Sequence, residues 1–258
     1  MLVDRFAALD QLLTRYQGFW QCQPFHWRDN CWRESTPTLA AFLDTLVGEE
    51  LSALEADSAP LRPMLKPWFP ELDELASLCE LPPNLTPLQP VPDGLGNYIP
   101  GRKWQQLRHF AAAMPGVRGP VLEWCAGKGH LGRLLGYQSG RPVVSLEWQA
   151  ELCDAGQRLA TRAKVPMRFV HGDAFSDAAK ELVQPEQHAV ALHACGELHM
   201  RLLQVASQRQ SRTVTISPCC YHLIHAPSYQ PMSLAAQASK LQLTTQDLRM
   251  TVQETVTA

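Results

Sequence analysis

No stretch of this 258-residue chain is apolar over the roughly 20 residues that a membrane-spanning helix needs. A strong charge of either sign is also missing. The 23 Lys and Arg stand against 25 Asp and Glu, a formal net of −2, which excludes the overall footprint of a general polyanion binder. The cysteines lack regular spacing. Eight of them, together with an opening MLVDRFAALDQLL that has no continuous apolar leader, argue against secretion and against a disulfide framework. The expectation is a reduced, soluble, cytoplasmic protein that does not enter a membrane. Internal repeats and low-complexity tracts are missing too, so a solenoid is not indicated.

What is present is 45% hydrophobic residues, enough for one substantial core, or one core with a smaller appendage. The charges are unevenly spread. Residues 1–100 carry 6 basic and 14 acidic side chains, residues 101–170 carry 11 and 4, and residues 171–258 carry 6 and 7. A middle segment with an excess of seven positive charges suits an anionic partner, although a solvated face has the same composition.

The first 90 residues read as short helices broken by prolines. DRFAALDQLLTRY places Phe6, Leu9, Leu12 and Leu13 on one helical face. TPTLAAFLDTLVGEEL repeats the pattern, with Thr36 or Thr38 placed to start the helix. The aromatics of GFWQCQPFHWRDNCW are read as packing between helices, because no basic residues interleave with them as base stacking would need. LPPNLTPLQPVPDGLGNYIPG then marks a boundary. The expected division is a helical domain over 1–90 and a second domain over 91–258. In the second, strand-like and helix-like segments alternate: GPVLEWCAG, HLGRLLGYQ, RPVVSLEW, ELCDAGQRLATRA, MRFVHGDAF, HAVALHACG, ELHMRLLQVASQ and RTVTISPCC. Such alternation predicts an α/β, Rossmann-like, doubly wound and mostly parallel sheet of five strands.

Ligands of such sheets sit beyond the carboxyl ends of the strands. After the first strand, Gly127, Gly129 and Gly132 have the spacing G-x-G-x-x-G, which lets backbone N–H groups approach a ligand closely. Glu147, ending the second strand, can accept from both hydroxyls of a ribose. These features suit a dinucleotide and S-adenosylmethionine equally. Glu123, four residues before Gly127, separates them, because its carboxylate would repel a pyrophosphate and attract an ammonium. Asp173 in HGDAF can accept from an adenine amino group. The cofactor expected is S-adenosylmethionine.

On these motifs, residues from about 98 to 225 resemble the class I S-adenosylmethionine-dependent methyltransferases. The resemblance implies that EWCAGKG, with Glu123, Gly127 and Gly129, holds the methionine end, and His130, next in the same turn, is expected to line that pocket. The resemblance also implies Glu147, with Trp148 beside it, for the ribose, and Asp173 with Ala174 for the adenine side. HACGELH (His193 to His199) and SPCCYH (Ser217 to His222) further resemble a branch that includes tRNA 2′-O-methyltransferases. The common amino-methylating pattern has Asn/Asp-Pro-Pro-aromatic after the fourth strand. HACG stands there instead, which points away from N-methylation.

His193, Cys195, Cys219 and His222 are expected to converge near the transferred methyl. A histidine suits general-base work on a hydroxyl; a cysteine pair acting on a pyrimidine, or a zinc site, are alternatives. A zinc deaminase is rejected, since Cys195 occupies the place of the required glutamate and a second P-C-x-x-C cysteine is missing. The candidate catalytic set is His193, Cys219 and His222. His193 also borders the cofactor, and no resident metal is assigned. Cys195 and Cys220 equally suit small buried positions. His188 and His225 are read as surface.

The acceptor favoured is RNA, tRNA or rRNA, from the basic middle segment and GRKWQQLRH. A protein or small-molecule acceptor, or an inactive binding module, is the alternative. Class I methyltransferases have seven strands, whereas SLAAQASKLQLTTQDLRMTVQETV reads as helix, with Leu234, Ala238 and Leu241 on one face and Thr245 as cap. The expectation is a domain lacking its last two strands, a poor catalyst, self-associating through an open sheet edge unless helices cover it.

Overall fold

A computed structural model of the chain describes residues 2–23, 26–83, 86–114, 116–117 and 119–257, with side chains to residue 251. In chain order the helices α1 (Leu2–Arg15), α2 (Gln17–Trp20), α3 (Pro37–Leu43), α4 (Gly48–Ala56), α5 (Leu61–Leu65), α6 (Leu72–Cys79) and α7 (Gly101–Ala113) come first. Strands and helices then alternate: β1 (Val121–Trp124), α8 (His130–Ser139), β2 (Val143–Glu147), α9 (Ala150–Arg162), β3 (Met167–His171), α10 (Asp177–Leu182), β4 (His188–Leu192), α11 (Glu197–Gln208) and β5 (Thr213–Ser217). The helices α12 (Leu234–Gln237) and α13 (Thr245–Thr257) follow. None of the described helices is long and apolar enough to cross a membrane.

The chain forms two compact units, Met1–Pro83 with Pro231–Gln242, and Asn84–Gln230 with Leu243–Ala258. This differs from the division expected at residue 90. The boundary falls earlier in the proline-rich connector, and the segment around α12 returns to the helical unit. The reason is tertiary: α12 packs on α1, Ser239 hydrogen-bonds Asp10, and Gln21 donates to the Gln242 carbonyl at 2.9 Å.

In the helical unit, Leu12 is buried, while Phe6 and Leu13 of the expected apolar face stay 37% exposed. The aromatics do pack. Phe19 meets Phe69 at 4.9 Å and Trp32 at 5.9 Å between ring centroids, Phe42 stacks on Trp68, and Trp27 is exposed. Phe25 lies outside the described residues. TPTLAAFLDTLVGEEL forms two helices, α3 and α4, because the chain turns at Asp44–Val47. Thr36 stands at the start of α3 but makes no side-chain cap. A correction concerns the cysteines: Cys22 and Cys31 are joined in a disulfide. Their nine-residue separation gave no recurring pattern to read, so the expectation of an all-thiol chain does not hold.

In the second unit the strand order is β3-β2-β1-β4-β5, all pairs parallel. This is the Rossmann-like, doubly wound α/β sheet. Both faces are covered, as parallel sheets require. Side chains alternate across the sheet. Val121 and Val190 join one core cluster with Leu107, Leu131 and Leu134, and Leu122, Trp124 and Ala189 join the opposite one with Leu202 and Val205. The strand order reverses between β1 and β4, which are hydrogen-bonded neighbours, so their carboxyl ends open a crevice. Among the described residues the sheet has five strands, as expected, with β5 at an edge.

The helix expected across SLAAQASKLQLTTQDLRMTVQETV is instead two helices. Leu234 is 85% exposed rather than on a packed face. The cap of α13 is Thr244, not Thr245: Thr244 Oγ1 accepts from Asp247 N, and Asp247 Oδ2 accepts from Thr244 N, the reciprocal pairing that starts a helix cleanly. His188, expected at the surface, is 3% exposed on β4, where its Nε2 meets Thr215 Oγ1 at 2.8 Å. Burial lowers its pKa below the usual 6.5. HAVAL is central in the sheet, and the histidine is tolerated because a neighbouring strand supplies a partner.

A two-part cofactor cleft beside a cluster of thiols

The loop from β1 to α8 is built around glycines. Gly127 and Gly129 have φ of 58° and 63°, and a Cβ on Gly132 would stand 2.5 Å from a Glu123 carboxylate oxygen. Three other residues at strand ends share the left-handed conformation without being glycine: Cys125 after β1, His193 after β4 and Cys220 after β5, with φ of 57°, 65° and 50°. Strained backbone of this kind gathers where a site is being shaped.

Two cavities flank the end of β1. The first, of about 120 Å³, is lined by Lys103, Glu123, Cys125, Gly127, His130 and His193, among others. The second, of about 300 Å³, is lined by Cys125, Glu147, Trp148, Asp173, Ala174, Phe175 and Leu198, among others. Cys125 borders both. Every cofactor residue expected from sequence lines one of them, except Gly129, which holds the turn between. Of these lining residues, the sequence pointed to Lys103 only as a basic group for RNA, and did not point to Cys125, Phe175 or Leu198. Of these, Phe175 stood in the quoted HGDAF, and its aromatic ring next to the acid was the available signal.

Glu123 is 3% exposed and accepts from Ser145 Oγ at 2.7 Å. Burial pushes its pKa up to about 7, against the opposing pull of Ser145, Gly132 N–H, Arg133 and Lys103. Glu147 joins loop to strand. Its Oε2 accepts from Gly127 N at 2.7 Å and its Oε1 from Gln149 N at 3.0 Å. Asp173 Oδ1 accepts from Phe175 N at 2.9 Å. Trp148 and Phe175 present exposed rings beside it. His130 Nδ1 faces Arg133 Nη2 at 3.0 Å. Burial, followed by Arg133, Lys103 and Lys128, pushes the histidine down to about 4, so it is neutral at pH 7.

The acceptor-side residues come together only in part. His193 is exposed at the cavity mouth, with Nε2 3.3 Å from Gln106 Oε1 and Nδ1 3.6 Å from Cys219 Sγ. Desolvation and Lys103 hold its pKa below 6.5. Cys195 Sγ lies 3.3 Å from Cys219 Sγ, and burial with the neighbouring Cys219 thiol pushes Cys195 up to about 12. His222 stands apart from this contact set: its Nδ1 is buried with no hydrogen-bond partner among the described residues. His199 is a buried histidine packed edge-on against Tyr221, and His225 is an exposed partner of Glu197.

Residues 102–227 match the family model described as a methyltransferase domain. Comparison with curated protein sequences returns no match. Solved structures similar to this one include the Pyrococcus abyssi tRNA (uracil-54, C5)-methyltransferase with S-adenosyl-L-homocysteine, at 17% identity and TM-score 0.37, over 45% of this chain and 28% of that one. A glycopeptide N-methyltransferase, MtfA, with S-adenosyl-L-methionine matches at 21% identity and TM-score 0.32, over 40% and 48%. A geranyl diphosphate methyltransferase with sinefungin matches at 14% and 0.36, over 43% and 42%. The match thus spans less than half the length of each of these proteins, and their differing acceptors transfer none to this chain.

Proposed function

We propose that this chain is an S-adenosylmethionine-dependent methyltransferase whose donor lies across the two cavities at the end of β1. The observation that carries this reading is the pair of cavities meeting at Cys125, with acids at the ends of three adjacent strands, inside a segment that matches a methyltransferase domain. S-adenosylmethionine is the cofactor that this combination supports, and the residues fit it. Glu123, Gly127, Gly129 and His130 suit the amino-acid end, with Glu123 available to an ammonium. Glu147 suits the ribose hydroxyls. Asp173, Ala174, Trp148 and Phe175 offer an acceptor and flat apolar surface for a purine.

When bound, the donor supplies an electrophilic sulfonium methyl group. The chain then has to orient an acceptor lone pair toward that methyl and take the acceptor's proton. His193, at the mouth of the first cavity, is the residue we assign to the proton. Cys219 and His222 belong to the same proposed acceptor side; Cys219 is supported by its contact with His193.

The acceptor we infer is RNA. Arg102 and Lys103 on α7 and Lys128 in the glycine loop are exposed, and the positive charges of Lys103 and Lys128 reach His130, so cationic groups gather around the methyl end. An inactive binding module keeps the same cleft without turnover.

Calorimetry with S-adenosylhomocysteine should show binding that NAD does not match. Labelled S-adenosylmethionine offered to tRNA, rRNA, protein and small-molecule fractions should label RNA. RNA binding should weaken steeply with salt, because phosphate contacts release counterions. Label in another fraction would overturn the RNA assignment. Binding with no label anywhere would favour the inactive module, and preference for NAD would overturn the cofactor.

A further inference from the structure

The loops that leave β4 and β5 run side by side. His193 N donates to the Ser217 carbonyl, Gly196 N to the Cys219 carbonyl and Glu197 N to the Leu223 carbonyl, at 3.5, 3.4 and 3.2 Å. This pairing sets Cys195 of one loop against Cys219 of the other, with their sulfurs 3.3 Å apart. Consecutive side chains of an extended strand point to opposite faces. Cys220 escapes that rule because its φ is 50°, and the sulfurs of Cys195, Cys219 and Cys220 all lie within 4.8 Å of one another. Hydrogen bonding does not account for such a group, since a thiol is a weak donor and a weak acceptor.

We propose that Cys195, Cys219 and Cys220 form a binding site for one soft divalent cation, Zn²⁺, held by three thiolates. A tetrahedral zinc with Zn–S of about 2.3 Å has sulfurs about 3.8 Å apart, within the span of this cluster. Three thiols lose three protons to solvent as Zn²⁺ binds, leaving a site of net charge −1. Three protein ligands leave one of four positions for water or an acceptor atom, the ligand count of a catalytic rather than a structural zinc site. His193 borders the site through its 3.6 Å contact with Cys219. With its metal, Cys219 is a ligand and not a free nucleophile. The site stands independently of the methyltransferase reading.

The test uses the full chain, dialysed against chelator in a phosphine reductant and then titrated with Zn²⁺ or Co²⁺. One equivalent should be retained per chain. The cobalt form should show the intense sulfur-to-metal charge transfer and visible bands of a tetrahedral thiolate site. Bound Zn²⁺ should protect Cys195, Cys219 and Cys220 from alkylation, mapped by mass spectrometry, while Cys79 reacts. Cys195→Ser, Cys219→Ser or Cys220→Ser should each lower affinity at least 100-fold, and Cys79→Ser should not. If a variant fails to fold, the cobalt spectrum and alkylation map of the unsubstituted chain decide. No retained metal and no charge-transfer band, in a chain that still binds S-adenosylhomocysteine, would overturn the metal site alone. Tight binding that survives Cys219→Ser would also overturn it.

Discussion

Glu147 engages both carboxylate oxygens with backbone N–H groups, one of them Gly127 in the glycine loop, so it shapes the turn as well as facing the second cavity. Replacing it removes an acceptor from both the loop and the proposed ribose site. Glu147→Ala should lower S-adenosylhomocysteine affinity about 30-fold, from a loss of roughly 2 kcal/mol. Calorimetry on the folded variant checks it, and unchanged affinity would remove Glu147 from the cofactor site. Glu123 leads to a prediction about pH. Burial raises its folded pKa from 4.5 to about 7, so between those values the folded chain holds a proton that the unfolded chain has lost. Its contribution therefore weakens stability as pH rises through this window. His130 has the opposite sign: with its pKa down at about 4, the unfolded chain takes the extra proton below pH 6.5. In Glu123→Gln the slope of unfolding free energy against pH should become more positive by about 1 kcal/mol per pH unit between about pH 5 and 6.5. Urea titrations at several pH values measure that slope, and identical slopes would contradict a buried, proton-holding Glu123.

At the scale of elements, the site depends on two loops that are not regular structure. The loops after β4 and β5 meet through three backbone hydrogen bonds, and Gly196 lies directly against Leu223 there. It has φ of 55°, and an added Cβ would collide with the Leu223 carbonyl. Gly196→Ala therefore combines a left-handed backbone penalty with a clash against main chain that has no rotamer to yield. The expected loss is about 2 kcal/mol or more, read by chemical denaturation. Faster amide exchange at Glu197 should accompany it, since that N–H bonds Leu223 across the same gap. A variant as stable as the parent would mean that the loops are held by other contacts. The proposed thiolate site would then be less rigid than its spacing suggests.

For the whole molecule, β3 and β5 are the two edges of the sheet among the described residues, and all five residues of β5 are partly or fully exposed, in contrast to the buried β1. An apolar parallel edge is a template for pairing with another chain. We therefore propose that the protein self-associates reversibly through this edge. Sedimentation equilibrium over a hundredfold concentration range should show a rising average mass, and a constant monomer mass would exclude it. The charge distribution acts at the same scale. Net charge near neutrality gives little long-range steering, so an RNA acceptor has to be drawn by the local basic cluster.

The alternation of strand and helix, the glycine spacing and the acids at strand ends were legible without coordinates, because each is a short-range property. A strand of four or five residues, a tight turn and a cap depend on neighbours within one or two turns of chain. Glu123, Gly127, Glu147 and Asp173 stood at turns and strand ends readable in this way, and the family resemblance added His130, Trp148 and Ala174; all seven line two adjoining cavities. Other features needed the fold. His188 is buried because HAVAL became an inner strand with Thr215 beside it, a pairing between residues 27 apart in sequence. The return of Pro231–Gln242 to the helical unit and the disulfide of Cys22 with Cys31 are likewise decided by chain segments meeting. The clearest case is the thiol cluster. The meeting of Cys195 with Cys219 was expected from strands ending side by side, but the third thiol within 4.8 Å, Cys220, is brought in by one left-handed residue. That left-handed turn has no signature in composition or spacing.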